Sequence, residues 1–201
     1  MPNLYIIAGC NGAGKTTASY TIFPAILKCR EFVNADNIAA GISPFNVEGV
    51  AIEAGKIMLQ RIDELLLTNE DFAIETTLTT RSYVGLVHKA KTLGYTVSLI
   101  YIWLNSPELA LQRVAERVKK GGHNIPTDVI VRRYFKGLIN LFALFMPVCD
   151  NWVAADNSNG ELAEIASKKS EFDVLIEKID IWTAIKSQAY DRQSENEYRP
   201  T

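Results

Sequence analysis

The chain has 201 residues, of which 48% are hydrophobic and 22% are charged. That length and composition are typical of one globular domain whose core needs neither disulfides nor a structural metal. With 21 basic and 23 acidic residues the formal net charge is −2, which argues against the broad basic field of a protein whose main task is to grip nucleic acid.

Strand-like and helix-like patterns alternate through the first half of the chain. An apolar strand at residues 4–8 runs into a glycine-rich loop, followed by a helix over residues 15 to about 28. Next come a strand at 31–34, a turn-rich stretch around Gly41 and Asn46, and a helix over 47–67. A strand at 72–76 and a helix from about 81 to 93, ended by Gly94, complete this half.

The second half continues the alternation. A nearly all-apolar strand at 95–104 precedes Ser106 and Pro107, a favourable start for a helix that stops at Gly121. A helix over 126 to about 148 leads to a strand at 152–155. Residues 161 to about 178 predict two short strands, with helix throughout as the alternative. A brief helix at 181–185 and a polar, frayed tail over 187–201 end the chain.

This order of elements predicts an α/β fold with parallel strands joined by crossovers. We expect three layers, with helices on both faces of a mostly parallel central sheet, in one domain over residues 1–186. Because binding sites in such sheets lie at the carboxyl ends of the strands, function is expected in the segments after the first, second, third and fifth strands.

The cysteines and the N-terminus bear on location. Cys10, Cys29 and Cys149 are widely spaced and show no zinc-binding pattern, so we expect reduced thiols in a cytoplasmic protein. The N-terminus lacks the basic start and long apolar core of a secretory signal, and the apolar run at 97–104 is too short to span a bilayer. No export and no membrane partner are predicted.

Residues 9–16 match the phosphate-loop pattern GxxxxGK(S/T) at every fixed position, between a strand and a helix. Backbone amides of such a loop and the helix N-terminus cradle phosphates. Lys15 would reach the β- and γ-phosphates, and the Thr16 hydroxyl would ligate Mg²⁺. The loop therefore predicts a P-loop NTPase fold that binds a nucleoside triphosphate and Mg²⁺. The predicted nucleotide contacts are Gly9, Cys10, Asn11, Gly12, Ala13, Gly14, Lys15, Thr16 and Thr17.

Two absences in the sequence narrow the class of P-loop protein. There is no Asn-Lys-x-Asp segment for guanine, as in GTPases, and no apolar strand ends in Asp-Glu or Asp-Asp, as in motor ATPases. The remaining design is a small phosphotransferase in which a lid of arginines closes on the phosphates opposite an acceptor site.

Acidic residues after the second and third strands are candidates for the acceptor side. Asp36 could accept a proton from a substrate hydroxyl, and capping of the segment that starts at Asn37 explains it equally well. Glu75 ends an apolar strand, where a carboxylate needs a partner such as a substrate hydroxyl or a water bound to Mg²⁺. Thr77 is one of several threonines that follow and supply further hydroxyls.

Basic residues concentrate on both sides of the Gly121-Gly122 break. Two cationic helices joined by a hinge predict a lid over residues 106 to about 137, whose guanidiniums would neutralise charge on the transferring phosphoryl group. His123 is interpreted as a hydrogen-bonding loop residue rather than a proton carrier. The side chains assigned to the phosphates are Arg117, Arg132 and Arg133.

From Asn3 to about Trp182 the chain resembles the zeta toxin family of P-loop kinases, in particular its short stand-alone bacterial branch. The segments that carry the resemblance follow one another in a fixed order. They are the phosphate loop, Asn34-Ala35-Asp36, Glu75-Thr76-Thr77-Leu78, Arg113-Val114-Ala115-Glu116-Arg117-Val118, Gly121-Gly122-His123, Ile125-Pro126, Arg132-Arg133-Tyr134, Asn140-Leu141 and Asp156-Asn157-Ser158.

The resemblance implies a nucleoside-kinase-like fold, ATP as phosphate donor and a UDP-N-acetylamino sugar, such as UDP-N-acetylglucosamine, as acceptor. It also implies Asp36 as general base, Glu75 and Thr77 in substrate or Mg²⁺ contacts, and Asn157 near the adenine. The best-known family members carry an arginine two residues after the position of Thr77, where this chain has Thr79.

Two other functions fit the same motifs. One is an ATP-binding interaction module, such as the toxin half of a toxin–antitoxin pair; its one hint of a partner surface is the apolar stretch 138–148, which core packing explains better. The other is a polynucleotide 5′-end kinase, which shares the loop and the arginine lid but would need a basic groove. Nucleic acid is therefore not the expected acceptor.

Overall fold

Seven strands form one sheet in the computed structural model. The structure describes residues 1–21, 23–170 and 173–197, with residues 191–197 described by their backbone alone. They are β1 (Asn3–Ala8), β2 (Glu31–Val33), β3 (Phe72–Thr76), β4 (Thr96–Trp103), β5 (Asn151–Asp156), β6 (Ala163–Ser170) and β7 (Asp173–Ile176). Their spatial order is β2-β3-β1-β4-β5-β6-β7. The first five strands pair in parallel and the last two antiparallel, which confirms the predicted α/β fold with a mostly parallel sheet.

Eight α-helices connect or flank these strands in the described part of the chain. They are α1 (Lys15–Thr21), α2 (Phe23–Leu27), α3 (Ala35–Ile42), α4 (Ala51–Thr68), α5 (Tyr83–Thr92), α6 (Pro107–Lys119), α7 (Thr127–Asn140) and α8 (Ile179–Glu197). A 3₁₀ turn at Glu48–Val50 precedes α4, and a π-helical turn at Leu141–Phe145 continues α7.

The structure differs from the prediction on both sides of β2. The helix predicted over 15–28 is divided into α1 and α2, with residue 22 outside the described residues. The stretch after β2 was predicted as turns and forms α3 instead. The Asn34 side chain accepts hydrogen bonds from the backbone N–H groups of Asp36 and Asn37, so Asn34 and not Asp36 caps this helix.

The structure confirms several predicted features of the second half. α6 starts at Pro107, with the Ser106 hydroxyl accepting a hydrogen bond from the Leu109 backbone N–H at 3.2 Å. Residues 161–178 contain the two expected short strands, β6 and β7. The apolar stretch after α7 places Leu141 and Phe145 in the core, fully buried, as the core-packing interpretation requires.

The C-terminal helix is longer than predicted. α8 begins at Ile179 and continues to Glu197, so most of the segment expected to fray is helical, while residues 198–201 lie outside the described residues. Gln188 explains part of this order, because its Oε1 accepts hydrogen bonds from the Tyr134 hydroxyl at 2.9 Å and from Trp103 Nε1 at 3.3 Å. The polar composition of this segment does not reveal such contacts with residues distant in sequence, so it could not predict the helix.

The two faces of the sheet are buried to different degrees. On one face Leu99 is fully buried and Trp152 of β5 stacks on Trp182 of α8, with ring centroids 5.6 Å apart. On the other face, the paired residues Ile100 and Val153 are only half-buried and line a large cavity. The sheet therefore forms a solid core on one side and one wall of a candidate site on the other.

The described residues allow two further statements about the class of protein. All three cysteines are unpaired, as expected. No helix in the described ranges has both the length and the apolar composition that crossing a bilayer requires.

Candidate functional site

The phosphate loop lies at the carboxyl end of β1 and lines a cavity of about 1170 Å³. Gly14 has a φ of +90°, and a Cβ added there would lie 2.5 Å from Asn157 Nδ2, so the loop needs glycine at this position. Asn157 Nδ2 donates a hydrogen bond to the Ala13 carbonyl at 2.8 Å, which ties the loop after β5 to the phosphate loop. The loop residues that line the cavity are Asn11, Gly12, Gly14, Lys15, Thr16 and Thr17.

Cys10 contributes to the loop through its backbone. Its carbonyl accepts a hydrogen bond from Lys15 Nζ at 3.0 Å, which holds the ammonium against the loop. Burial raises the pKa of the Cys10 thiol to about 11, with Lys15 opposing that shift. We therefore expect the thiol to stay protonated near neutral pH.

Glu75 connects the phosphate loop to the segment after β2. Its carboxylate, 9% exposed, accepts hydrogen bonds from the Thr16 hydroxyl at 2.9 and 3.1 Å and from Asn34 Nδ2 at 2.8 Å. Lys15 Nζ lies 3.7 Å from the same carboxylate. The carboxylate expected to need partners at the end of β3 therefore finds three of them, all on elements that meet at one edge of the sheet.

Asp36 lies in the first turn of α3 and lines the same cavity. Asn34 places it, because the Asn34 amide donates to Glu75 while its oxygen accepts from the Asp36 backbone. The Asp36 side chain is 57% exposed, and its Oδ2 lies 3.9 Å from His123 Nε2. A carboxylate in this position is accessible to a molecule that enters the cavity mouth.

The three arginines assigned to the phosphates occupy different positions. Arg117 lines the cavity, its Nη2 donates to the His123 carbonyl at 3.1 Å, and its Nε is buried without a hydrogen-bond partner in the described part of the chain. Arg133 reaches the phosphate loop, since its Nη1 donates to Asn11 Oδ1 at 3.3 Å. Arg132 is exposed and lies outside the lining of the cavity.

The remaining predicted residues also divide between the cavity and its surroundings. Asn157 lines the cavity, and its contact with Ala13 places it beside the phosphate loop. Thr77 instead pairs its hydroxyl with that of Thr79 at 3.0 Å, outside the lining of the cavity. Gly9 does not line the cavity either; it lies under the loop, where an added Cβ would overlap the Ile102 carbonyl oxygen.

Sequence reasoning missed two parts of the site. Arg113 lines the cavity and donates from Nη2 to the carbonyls of Asn157 and Ser158, at 2.7 and 3.1 Å, so it clamps the loop after β5 to α6. An apolar wall, formed by Ile100, Ile102, Val153 and Ala155, was assigned only to the core. The period-two alternation of β4 and β5 could have separated this wall from the buried face.

The site also fits a magnesium ion of the kind that P-loop proteins bind. In the described residues no group of three or more His, Cys, Asp and Glu side chains could hold a metal by itself. The Thr16 hydroxyl and the Glu75 carboxylate lie in hydrogen-bond contact beside the phosphate loop, and both carry oxygen atoms that can act as metal ligands. Mg²⁺ prefers oxygen ligands and takes part of its coordination from phosphates and water, so one hydroxyl and one carboxylate fit it.

A phosphate loop after the first strand, a mostly parallel sheet and a pair of arginine-bearing helices over the loop define the class of P-loop proteins with a kinase-like fold. The Zeta toxin family matches residues 1–146 of the chain. The chain therefore belongs to the zeta toxin family.

The chain is also similar to a relative in sequence and, in fold, to solved structures. An uncharacterized protein of Haemophilus influenzae is 33% identical over 126 residues, which cover 63% of this chain and 88% of the relative. The complex of AvrRxo1-ORF1 with AvrRxo1-ORF2, solved with ATP, contains a chain that superposes with a TM-score of 0.75 at 20% identity over 94% of this chain. This chain spans only 64% of that one. The PezAT toxin–antitoxin system of Streptococcus pneumoniae superposes with a TM-score of 0.68 at 17% identity, covering 99% of this chain and 88% of the other.

Proposed function

We propose that the protein is an ATP-dependent kinase that transfers the γ-phosphoryl group to a hydroxyl of a small acceptor. One observation carries the proposal: Lys15, Thr16 and Glu75 converge in a cavity that also exposes the Asp36 carboxylate and the Arg117 guanidinium. A phosphate-binding group, an oxygen pair suited to Mg²⁺, a carboxylate and a cation are the parts that phosphoryl transfer needs. Membership of the zeta toxin family supports the same function.

Each side chain has a defined part in the proposed reaction. The phosphate loop and Lys15 hold the β- and γ-phosphates, while Arg117 adds positive charge from the opposite side of the cavity. The acceptor oxygen attacks the γ-phosphorus, the bond between that phosphorus and the bridging oxygen of the β-phosphate breaks, and ADP leaves with the bonding electrons. Asp36 takes the proton of the attacking hydroxyl. Thr16, and Glu75 through a water, would hold Mg²⁺, which would supply charge neutralisation to the phosphates.

The nucleoside of ATP is proposed to lie toward the loop after β5. Asn157 and Arg113 hold that loop against the phosphate loop and α6, and the apolar wall on β4 and β5 continues the cavity beyond it. Apolar walls with a few placed polar groups are the usual lining of nucleotide and cofactor pockets. Arg133 is assigned to the phosphates through its contact with Asn11, whereas Arg132, which is exposed and outside the cavity lining, is proposed to reach them only after a rearrangement of α7.

We propose a UDP-N-acetylamino sugar as the acceptor, with Asp36 facing the reacting hydroxyl. Support comes from the family and from the exposed Asp36 carboxylate, which lines the cavity where a sugar hydroxyl could approach it. Thr77 is proposed to approach the acceptor only after a rearrangement of its pair with Thr79, because its hydroxyl lies outside the cavity lining.

The decisive experiment incubates the protein with ATP, Mg²⁺ and a panel of sugar nucleotides, free sugars and oligonucleotides, and detects the gain of one phosphoryl group by mass spectrometry. Asp36→Asn should lower turnover by a factor of about 10² or more, as expected for a lost general base, while ATP affinity stays nearly unchanged. Asp63→Asn is the matched control, because Asp63 is an exposed carboxylate paired with Lys89 away from the cavity. Phosphorylation of oligonucleotides alone, or normal turnover of Asp36→Asn, would contradict the proposal.

We also propose a protein partner of the antitoxin type. The PezAT neighbour is a toxin–antitoxin system, and AvrRxo1-ORF1 is found in complex with AvrRxo1-ORF2. Co-expression with the product of an adjacent small gene, followed by size-exclusion chromatography, should give a stoichiometric complex. Elution of the protein as a monomer, separate from this product, would argue against the partner.

A further inference from the structure

The loop between α6 and α7 is wound tightly onto Arg117. The Arg117 carbonyl accepts hydrogen bonds from the backbone N–H groups of Lys120 and Gly122, at 3.1 and 3.0 Å. A Cβ added at Gly122 would lie 2.6 Å from Arg117 Cγ, so glycine lets the arginine side chain lie across the loop. Arg117 Nη2 then donates to the His123 carbonyl at 3.1 Å. The backbone of His123 therefore has a defined position next to Gly122, which lines the cavity.

The His123 side chain reaches from this loop toward Asp36 of α3. It is 26% exposed, and its Nε2 lies 3.9 Å from Asp36 Oδ2. A shift of about 1 Å would bring the two atoms into hydrogen-bond distance. The two residues are 87 positions apart in sequence, and α3 and the α6–α7 loop meet through them.

Asp36 has little else to hold its carboxylate. Its backbone is placed by the Asn34 cap, whereas in the described residues the one ion-pair contact of its side chain is the contact with His123. A carboxylate that is 57% exposed populates several rotamers unless a partner selects one of them. A general base must be aimed at the proton it removes, and misplacement of about 1 Å is costly in rate.

We propose that His123 is a positioning residue for Asp36: reaching from the α6–α7 loop, its imidazole selects the carboxylate orientation that faces the acceptor hydroxyl. The proposal rests on the proposed kinase function for its catalytic meaning. The contact between His123 and Asp36 is independent of that function.

This assignment gives the two sides of the α6–α7 loop separate tasks. Arg117 faces the phosphates and fixes the loop backbone, while His123 faces the acceptor side. Because Arg117 bonds the His123 carbonyl and not its ring, truncating the imidazole leaves the placement of Arg117 intact. Side-chain variants of His123 therefore separate acceptor-side positioning from phosphate binding.

The kinetic test compares His123→Ala and His123→Gln with the matched control His88→Gln, since His88 is exposed on α5 and lies outside the cavity. His123→Ala should lower kcat about tenfold, the effect of losing the hydrogen bond to the Asp36 carboxylate that a shift of about 1 Å would form, with the KM for ATP unchanged. His123→Gln, which keeps a side-chain N–H donor, should recover most of the loss. Unchanged kcat in His123→Ala, or a parallel loss of ATP affinity, would overturn the proposal.

A second measurement keeps the test independent of catalysis. The chain has two histidines, so the imidazole ¹H–¹³C spectrum contains two sets of signals, and His88→Gln assigns them. At constant pH, Asp36→Asn should move the His123 signal and leave the His88 signal in place. If the wild type phosphorylates no acceptor while the His123 signal moves, the kinase function fails and the contact stands. If the signal does not move, the positioning role is refuted whatever the activity.

Discussion

Gly14→Ala offers a quantitative test of how the phosphate loop and the loop after β5 hold each other. A residue with a side chain at a φ of +90° costs about 1 kcal/mol or somewhat more. The new Cβ would lie 2.5 Å from Asn157 Nδ2, so Asn157 must move and give up its hydrogen bond to the Ala13 carbonyl, at about 1 kcal/mol. The expected loss in the free energy of unfolding is about 2–3 kcal/mol, or roughly 5–10 °C in Tm for a domain of this size.

Three further variants isolate the steric part. Gly94→Ala is the matched control, because Gly94 has a φ of +84° and an added Cβ there meets nothing within 4 Å; it should cost only the conformational part. Asn157→Ala should cost about 1 kcal/mol for its hydrogen bond. In the double variant Gly14→Ala/Asn157→Ala the clash is gone, so the total loss should be about 2 kcal/mol, below the sum of the single losses.

Urea unfolding followed by circular dichroism measures all four free energies, with the slope m checked for constancy. Equilibrium titration with ATP reports whether the loop still binds phosphates. If the losses of the two single variants add to within about 0.5 kcal/mol in the double variant, Asn157 does not pack on Gly14 and the proposed junction is wrong.

Two further predictions concern binding and thiol chemistry. Arg113→Lys keeps the charge but loses the guanidinium Nη2 group that donates to both carbonyls, so ATP affinity should fall about tenfold in calorimetry, with Gln112→Ala, on the exposed side of α6, unchanged. Equal affinities would contradict the clamp. Burial raises the pKa of Cys10 to about 11 and of Cys149 to about 12, so at about pH 8 iodoacetamide should label half-buried Cys29 first, as peptide mass spectrometry would show. Because the folded state holds these protons more tightly, both thiols contribute their full share to the free energy of unfolding below the ordinary thiol pKa of 9.0, and that contribution should fall as pH rises toward 11 and 12. Faster labelling of Cys10 than of Cys29, or a free energy of unfolding that does not change over that pH range, would refute the assignment.

Most of the fold could be predicted from local pattern. The apolar runs of β1, β3 and β4 and the Ser106-Pro107 start of α6 were visible because burial and capping impose short-range signatures. α3 was missed because Gly41 and the following Ser-Pro suggested turns, whereas a single cap by Asn34 was enough to start a helix. The length of α8 was missed because Gln188 acts through contacts with distant residues.

The candidate site was predicted in part. The phosphate loop follows a fixed spacing, so Lys15 and Thr16 were identified without a structure. Glu75 was selected because a carboxylate in an apolar strand needs partners, and the structure supplies Thr16, Asn34 and Lys15. Arg113 and His123 were undervalued because one bonds carbonyls and the other approaches a residue far away in sequence.

The sequence by itself determined the chemistry that the chain can offer: a phosphate cradle, a magnesium-compatible hydroxyl and a set of carboxylates and arginines at strand ends and on two helices. Those features depend on residue type and on spacings within one element, which local geometry constrains. Only the tertiary structure decided which of them meet. The parallel order of β2, β3 and β1 brings Asn34 and Glu75 to the phosphate loop, and the fold of α6 and α7 brings Arg117 to the same cavity and His123 to Asp36. Contacts across such distances in sequence arise from packing of the whole sheet, which no local pattern encodes.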